Sequence, residues 1–211
     1  PTIVQIDSTH ETRLLEIASQ TGNNPIQINN EKIIWVDEIP DLRWSERSFS
    51  DIRLFDISAK KQKRLTYKQH YYAPSLSPDG TKIATVEVTS KGIYNLVILD
   101  AQSGCVTKKI QLPHNEFIQT PSWSSDNKTV CCILLNKDGN ALTTINTEST
   151  AVTSYIKPVF YDISNPVFYN QYILFASTVN GINNEIYAID TLTKQFYQVT
   201  NTNYGCRFPS V

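Results

Sequence analysis

A proline recurs through this chain at intervals of 49, 47, 45 and 43 residues: Pro25, Pro74, Pro121, Pro166 and Pro209. Around Pro74 the run YYAPSLSPDGTKIATVEV joins a Pro-x-x-Ser-Pro-Asp-Gly segment to an alternating apolar strand. The other prolines are followed by comparable runs, KIIWV (Lys32 to Val36), VCCILL (Val130 to Leu135) and YILFAS (Tyr172 to Ser177). A second apolar run then ends in an acid or amide: Asp56, Asp100, Asn146 and Asp190. After each comes a turn and a more polar strand, KQKRLT, CVTKKIQL, AVTSYI and QFYQVT. The same elements in the same order, four times over, mean that one supersecondary unit is repeated and stacked.

The physics of one unit follows from its residues. Pro78 presets the first central position of a turn, Asp79 bonds its own backbone, and Gly80 accepts positive φ. The third unit puts Asn127 in the glycine's place, and asparagine tolerates that conformation better than most residues. The first and fourth units shorten the turn to asparagine-centred ones, within NNE and NQY. The third strand is apolar on both faces (LVIL, IYAI), so it must be covered on both faces. Stacking units face to face covers them all. The pattern predicts an all-β fold, a β-propeller of four-stranded antiparallel blades. A long sandwich or a barrel is the alternative, but neither requires the same four-strand order each time.

The residues RLT, YYAPSLSPDG, KIATVEV and YNLVILDAQSG resemble the repeat of TolB-like propellers, which runs Leu-Thr, spacer, Pro-x-x-Ser-Pro-Asp-Gly and an Ile-Ala strand. The third unit carries Trp123 at the expected aromatic place, whereas the first and fourth lack the Pro-Asp-Gly turn. The resemblance covers essentially the whole chain. It implies a fold more than a function, because such propellers serve as translocation partners, peptidase gating domains, metal-dependent lyases and sensors.

Spacing gives the organisation. Asp7 precedes Pro25 by 18 residues, as Asp56 precedes Pro74, so residues 1–23 read as the end of a preceding blade. A helix over ETRLLEIAS is the competing reading. Blades are expected at 24–72, 73–119, 120–164 and 165–205, and residues 206–211 start the next. That is four complete blades and two partial ones, expected to be part of a larger ring. Closure of a five-bladed ring by the two ends is the alternative.

Composition narrows the partners. With 19 basic and 20 acidic residues and no cationic stretch beyond KKQKR, nothing favours phosphate-backbone binding. No apolar run approaches the ~20 residues that span a bilayer as a helix. Cys105, Cys131, Cys132 and Cys206 lack zinc-site spacing and are expected as free thiols. Neighbours on one strand, Cys131 and Cys132 point to opposite faces and fill core positions.

Antiparallel blades place the interblade loops and the hairpins between second and third strands at one end. The longest such hairpin is DEIPDLRWSERSFSD. The first unit takes 31 residues from proline to acid, against 24 to 26 elsewhere. Loops on a rigid scaffold are common binding places. The candidate binding residues are Arg43, Trp44 and Arg47 in that hairpin, with His70, Tyr71, Tyr72, His114, Phe117, Tyr161, Asp162, Tyr204 and Arg207 around the channel mouth. Phe160 belongs to the same ring of aromatics. Their alternative role is to plug gaps between blades. His70 and His114 lie near successive repeat prolines, and with a carboxylate they would suit zinc. No metal-binding pattern supports that, so no metal and no cofactor is expected. No Gly-x-Ser-x-Gly is present, and no catalytic residue is assigned. The sequon Asn127-Lys128-Thr129 falls in a hairpin turn.

The resulting expectation is a non-catalytic binding or scaffold module of a larger TolB-like protein, recognising a protein, peptide or glycan on the loop end. An extracytoplasmic site, in the periplasm or at the cell surface of a bacterium, is implied by the resemblance alone. A gating propeller of a peptidase and a metal-dependent polysaccharide lyase are the alternatives.

Overall fold

The computed structural model describes residues 2–17, 26–29, 31–181 and 183–211. Among them there is no helix. The strands are β1 (Thr2–Ile6), β2 (Glu11–Glu16), β3 (Gln27–Asn29), β4 (Lys32–Asp41), β5 (Trp44–Asp56) and β6 (Lys61–Arg64). Then come β7 (Tyr71–Leu76), β8 (Lys82–Val88), β9 (Tyr94–Asp100), β10 (Val106–Gln111), β11 (Phe117–Trp123) and β12 (Thr129–Asn136). The last six are β13 (Gly139–Asn146), β14 (Val152–Val159), β15 (Ile163–Tyr169), β16 (Tyr172–Ser177), β17 (Glu185–Asp190) and β18 (Phe196–Gln198). From β3 onward, each successive group of four forms one antiparallel sheet in sequence order. The four sheets are the blades of a propeller, with β3, β7, β11 and β15 innermost. β1 and β2 form a separate two-stranded sheet. The helix reading of ETRLLEIAS gives way to strand β2 over Glu11–Glu16, because Leu15 and Ile17 alternate onto one buried face.

The repeat proline marks a bulge. Ladder register slips between Tyr72 and Ser75, between Gln119 and Ser122, and between Ser164 and Val167. The residue before the proline is left-handed each time: Ala73 at 46°, Thr120 at 43°, Asn165 at 51°, and Phe208, before Pro209, at 57°. Proline has no N–H to give the ladder, so it suits the interruption, and the extra residue bends the inner strand. Pro25 lies outside the described residues.

The Ser-Pro-Asp-Gly turn works as its residues predict, and also reaches across blades. Asp79 accepts from Ser77 Oγ at 2.6 Å and from Thr81 N at 3.0 Å, while Gly80 sits at φ 70°. Asn127 repeats the left-handed position at 58°. Its side-chain oxygen accepts the Asp79 N–H (3.0 Å), and its carbonyl accepts from Lys82 Nζ (3.2 Å). One blade earlier, Lys32 Nζ donates to the Gly80 carbonyl at 3.2 Å. In the first unit the left-handed residue is Glu31 rather than an asparagine; in the fourth it is Asn170.

The acid or amide closing each third strand caps the turn that follows. Asp56 takes the Ala59 N–H, Asp100 the Ser103 N–H, Asn146 the Ser149 N–H and Asp190 the Thr193 N–H, at 2.7 to 3.0 Å. Asp7 does the same for Thr9 and His10 between β1 and β2. The β1–β2 hairpin thus shares the capping turn that follows the third strand of each blade.

Alternation along the strands builds the core between blades. Ile34, Ile52, Leu54, Tyr71, Ile83 and Leu99 fill the first junction. Val86, Leu96, Ile118, Trp123, Cys132 and Ile145 fill the second, and Cys131, Ile133, Leu142, Phe175 and Tyr187 the third. Adjacent Cys131 and Cys132 thus serve different interfaces, and all four cysteines are free. Each large apolar side chain so buried is worth about 1.5–3 kcal/mol. Leu15 on β2 and Ile17 just after it cover Ile33, Trp35 and Phe55.

Candidate binding face at the loop end

The first blade projects a finger from this end. β4 and β5 run 10 and 13 residues, against 7 and 7, 8 and 8, and 6 and 6 for the same strands of the other blades. Its base is fixed by buried charge. Asp51 is fully buried and accepts from Arg64 Nη2 (2.6 Å), Thr66 Oγ1 (3.2 Å), Lys68 N (2.9 Å) and Gln69 N (3.0 Å). Arg64 ends β6 and the other three donors belong to the linker that follows, so one carboxylate ties finger to linker. Arg53 pairs with Asp37 beside it.

Higher up, Phe49 is buried against His70, their ring centroids 5.7 Å apart. The Arg47 guanidinium lies 5.1 Å and Lys68 Nζ 5.9 Å from the Phe49 ring centre. At the tip, Asp41 Oδ1 takes the Arg43 N–H at 3.0 Å. That bond lowers the Asp41 carboxyl below the usual range, helped by the charges of Arg43, Arg47 and Lys68. Trp44 is 64% and Leu42 100% exposed.

The remaining candidates scatter. Tyr71 is not at the mouth: it is 3% exposed inside the first blade junction, and burial pushes its phenol up to about 12. Tyr72 and His70 are half-buried. Phe117 stacks at a tilt on Tyr94 (4.9 Å), and His114 is exposed. Tyr161 packs against the third junction, while Phe160 and Tyr204 stand in solvent. Asp162 and Arg207 are brought together by Asn184, a residue the sequence reading passed over. With its amide oriented to satisfy both ends, Asn184 donates to Asp162 Oδ2 (3.1 Å) and accepts from Arg207 Nε (2.9 Å) and Nη2 (2.6 Å). Among the described residues no group of three His, Cys, Asp or Glu is placed to hold a metal.

The staple was also missed. Asp51 recurs as Glu185, which accepts from Thr200 Oγ1, at 2.5 Å, and from Thr202 N, at 2.8 Å. Hydrogen bonding, from Thr200 first, holds the Glu185 carboxyl below its usual range. The available signal was an acid five residues before the strand-ending aspartate, matched to the threonine of Leu-Thr or Val-Thr.

The inner strands line a half-open axial cavity of about 530 Å³. Thr120, Asn165 and Phe208, three of the left-handed residues, line it together with Trp123 and Val211.

Repeated four-stranded blades with these turns and bulges define a β-propeller, and the fold is similar to that of solved TolB structures. TolB from Acinetobacter baumannii superposes with a TM-score of 0.69 at 17% identity, over 98% of this chain and 50% of that one. A putative TolB from Agrobacterium tumefaciens gives 0.68 at 14%, over 95% and 69%. The β-propeller domain of the Trilobed protease from Pyrococcus furiosus, described as having an open velcro topology, gives 0.61 at 17%, over 84% and 56%. The chain spans only about half the length of the first and third of these. No protein-family profile and no curated protein sequence matches it.

Proposed function

We propose that this propeller is a non-catalytic binding and scaffold module that recognises a protein, peptide or glycan on its loop end. The observation that carries the reading is the finger. Its base is locked by the buried Asp51, while its tip holds Trp44 and Leu42 in solvent beside Arg43 and Arg47. Large apolar side chains are placed in water on a rigid support when something else covers them. An extracytoplasmic location, in the periplasm or at the cell surface, accompanies this reading through the likeness to TolB. The likeness to a protease's propeller domain favours a second reading, a propeller that gates a peptidase. In that case the catalytic residues lie on other sequence.

Photo-crosslinking discriminates the two ends. A benzoylphenylalanine placed at Phe160 or Tyr204 should capture partner material from native cells, and one at Leu192, on the opposite end, should not. Equal labelling from both ends would remove the loop end from consideration.

A further inference from the structure

We propose that the finger tip docks an acidic, extended segment of a partner protein, a proposal that rests on the loop end being the working face. The arginines at the base of the finger are spent: Arg53 on Asp37 and Arg64 on Asp51. Those at the tip are not. Arg43 Nε stands 3.7 Å and Arg47 Nε 4.0 Å from Asp41, outside hydrogen-bond range, with side chains 75% and 55% exposed. Among the described residues neither guanidinium has a hydrogen-bond acceptor, and Asp41 Oδ2 has no donor although it is buried. Lys68, exposed and with its Nζ 5.9 Å from the Phe49 ring centre, adds a third cation near the same ring. Guanidinium forks with free donors match carboxylates in two-point contacts.

The backbone argues for a peptide. The finger's ladder pairs Pro40 with Ser48 and then Asp41 with Trp44, a register shift near the tip. On the other side of β5, pairing with β6 begins only at Arg53. Ser50 N donates outward to the Gln69 carbonyl at 2.8 Å and bridges His70, so the linker occupies the edge there. By strand alternation Ser48, two residues nearer the tip, turns its backbone N–H and C=O the same way. An incoming strand can meet the Ser48 groups, which a sugar chain or a free anion does not match in spacing. Leu42 and Trp44 then offer apolar contact between the acidic positions.

The test uses a fluorescent octapeptide of alternating glutamate and valine, read by anisotropy against the full chain. The same peptide with lysine for glutamate, and a sulfated oligosaccharide of similar charge, are the comparators. The glutamate peptide should bind, and its affinity should fall at least tenfold in R43Q/R47Q and measurably in K68Q. Lys108→Gln, on the far end, should change nothing, and melting curves of all variants should overlay. No binding of the glutamate peptide, equal binding of the lysine peptide, equal binding of the oligosaccharide, or indifference to R43Q/R47Q would each overturn the proposal. If crosslinking at Phe160 and Tyr204 still captures a partner when the peptide fails, only the acidic segment is lost, and the working face stands.

Discussion

The indole of Trp123 donates Nε1–H to the Ser75 carbonyl at 3.0 Å, so the last residue of one blade's innermost strand closes on the innermost strand of the blade before it. Trp123 is 5% exposed and packs with Val86, Leu96 and Cys132. One side chain thus supplies both apolar packing and a buried polar link across the junction. Trp123→Phe, which keeps most of the ring but leaves the Ser75 carbonyl unpaired, should cost about 1–3 kcal/mol in urea unfolding. Trp123→Ala, which also opens a cavity, should cost about 3–5 kcal/mol. Equal losses in the two variants would mean that the hydrogen bond carries the whole effect and the packing account is wrong.

Asp51 is the second test of how blades are joined. Removing it strands Arg64 and unties Lys68 and Gln69 from the finger. Breaking a buried pair from one side typically costs about 3–5 kcal/mol. Asp51→Ala should therefore unfold at markedly lower urea, and hydrogen exchange of residues 66–70 should quicken before the other linkers respond. Uniform exchange across all linkers would contradict a local staple.

The turn-capping aspartates make stability fall in acid. Backbone N–H groups, Ala59's first for Asp56 and Thr193's first for Asp190, hold those carboxyls below the ordinary aspartate value of 3.8; for Asp100 the Ser103 hydroxyl does so first. A carboxyl depressed in the folded state contributes stability that is fully present above 3.8. That contribution is lost as pH falls through the lower folded values. The third blade does the same job with Asn146, which cannot titrate. The triple variant D56N/D100N/D190N should keep the fold and show a flatter melting temperature between about pH 4 and pH 2. An unchanged acid slope would assign acid lability to other groups.

The cysteines should divide by reactivity. Burial raises the Cys131 thiol well above its ordinary value and pushes Cys132 up to about 12. Neither ionises near neutral pH, and thiolate is the reactive form. Native protein should give rapid reaction at exposed Cys105 and none at Cys131 or Cys132 within the lifetime of the fold. Denatured, unreduced protein should titrate four thiols. Fast native labelling of Cys132 would mean the second blade junction opens freely.

The repeat was legible because its turns depend on local chemistry: Pro78, Asp79 and Gly80 need only each other to bend the chain. The inner-strand bulge was not. A residue before proline ordinarily prefers extended backbone, yet Ala73 and Thr120 are left-handed, held there by the blade around them. The misplaced tyrosine has another cause. YKQHYYAP reads as interblade loop, but β7 already begins at Tyr71, so its side chain turns into the first junction while Tyr72 lies half-buried. The staple escaped for a different reason. Asp51 and its linker donors are 13 to 18 residues apart, and the second blade ends in Leu112-Pro113 with no threonine to echo the pattern.

The claim that the finger tip, and not the filling between blades, is the working surface is tested most directly by comparing Trp44→Ala with Tyr161→Ala. Trp44 is exposed at the tip, whereas Tyr161 packs on the third junction. Both variants would be measured for melting temperature and for partner crosslinking at the loop end. Trp44→Ala should abolish the crosslink with its melting temperature unchanged, and Tyr161→Ala should lower the melting temperature while the crosslink persists below it. Lost stability with an intact crosslink in Trp44→Ala would contradict the account.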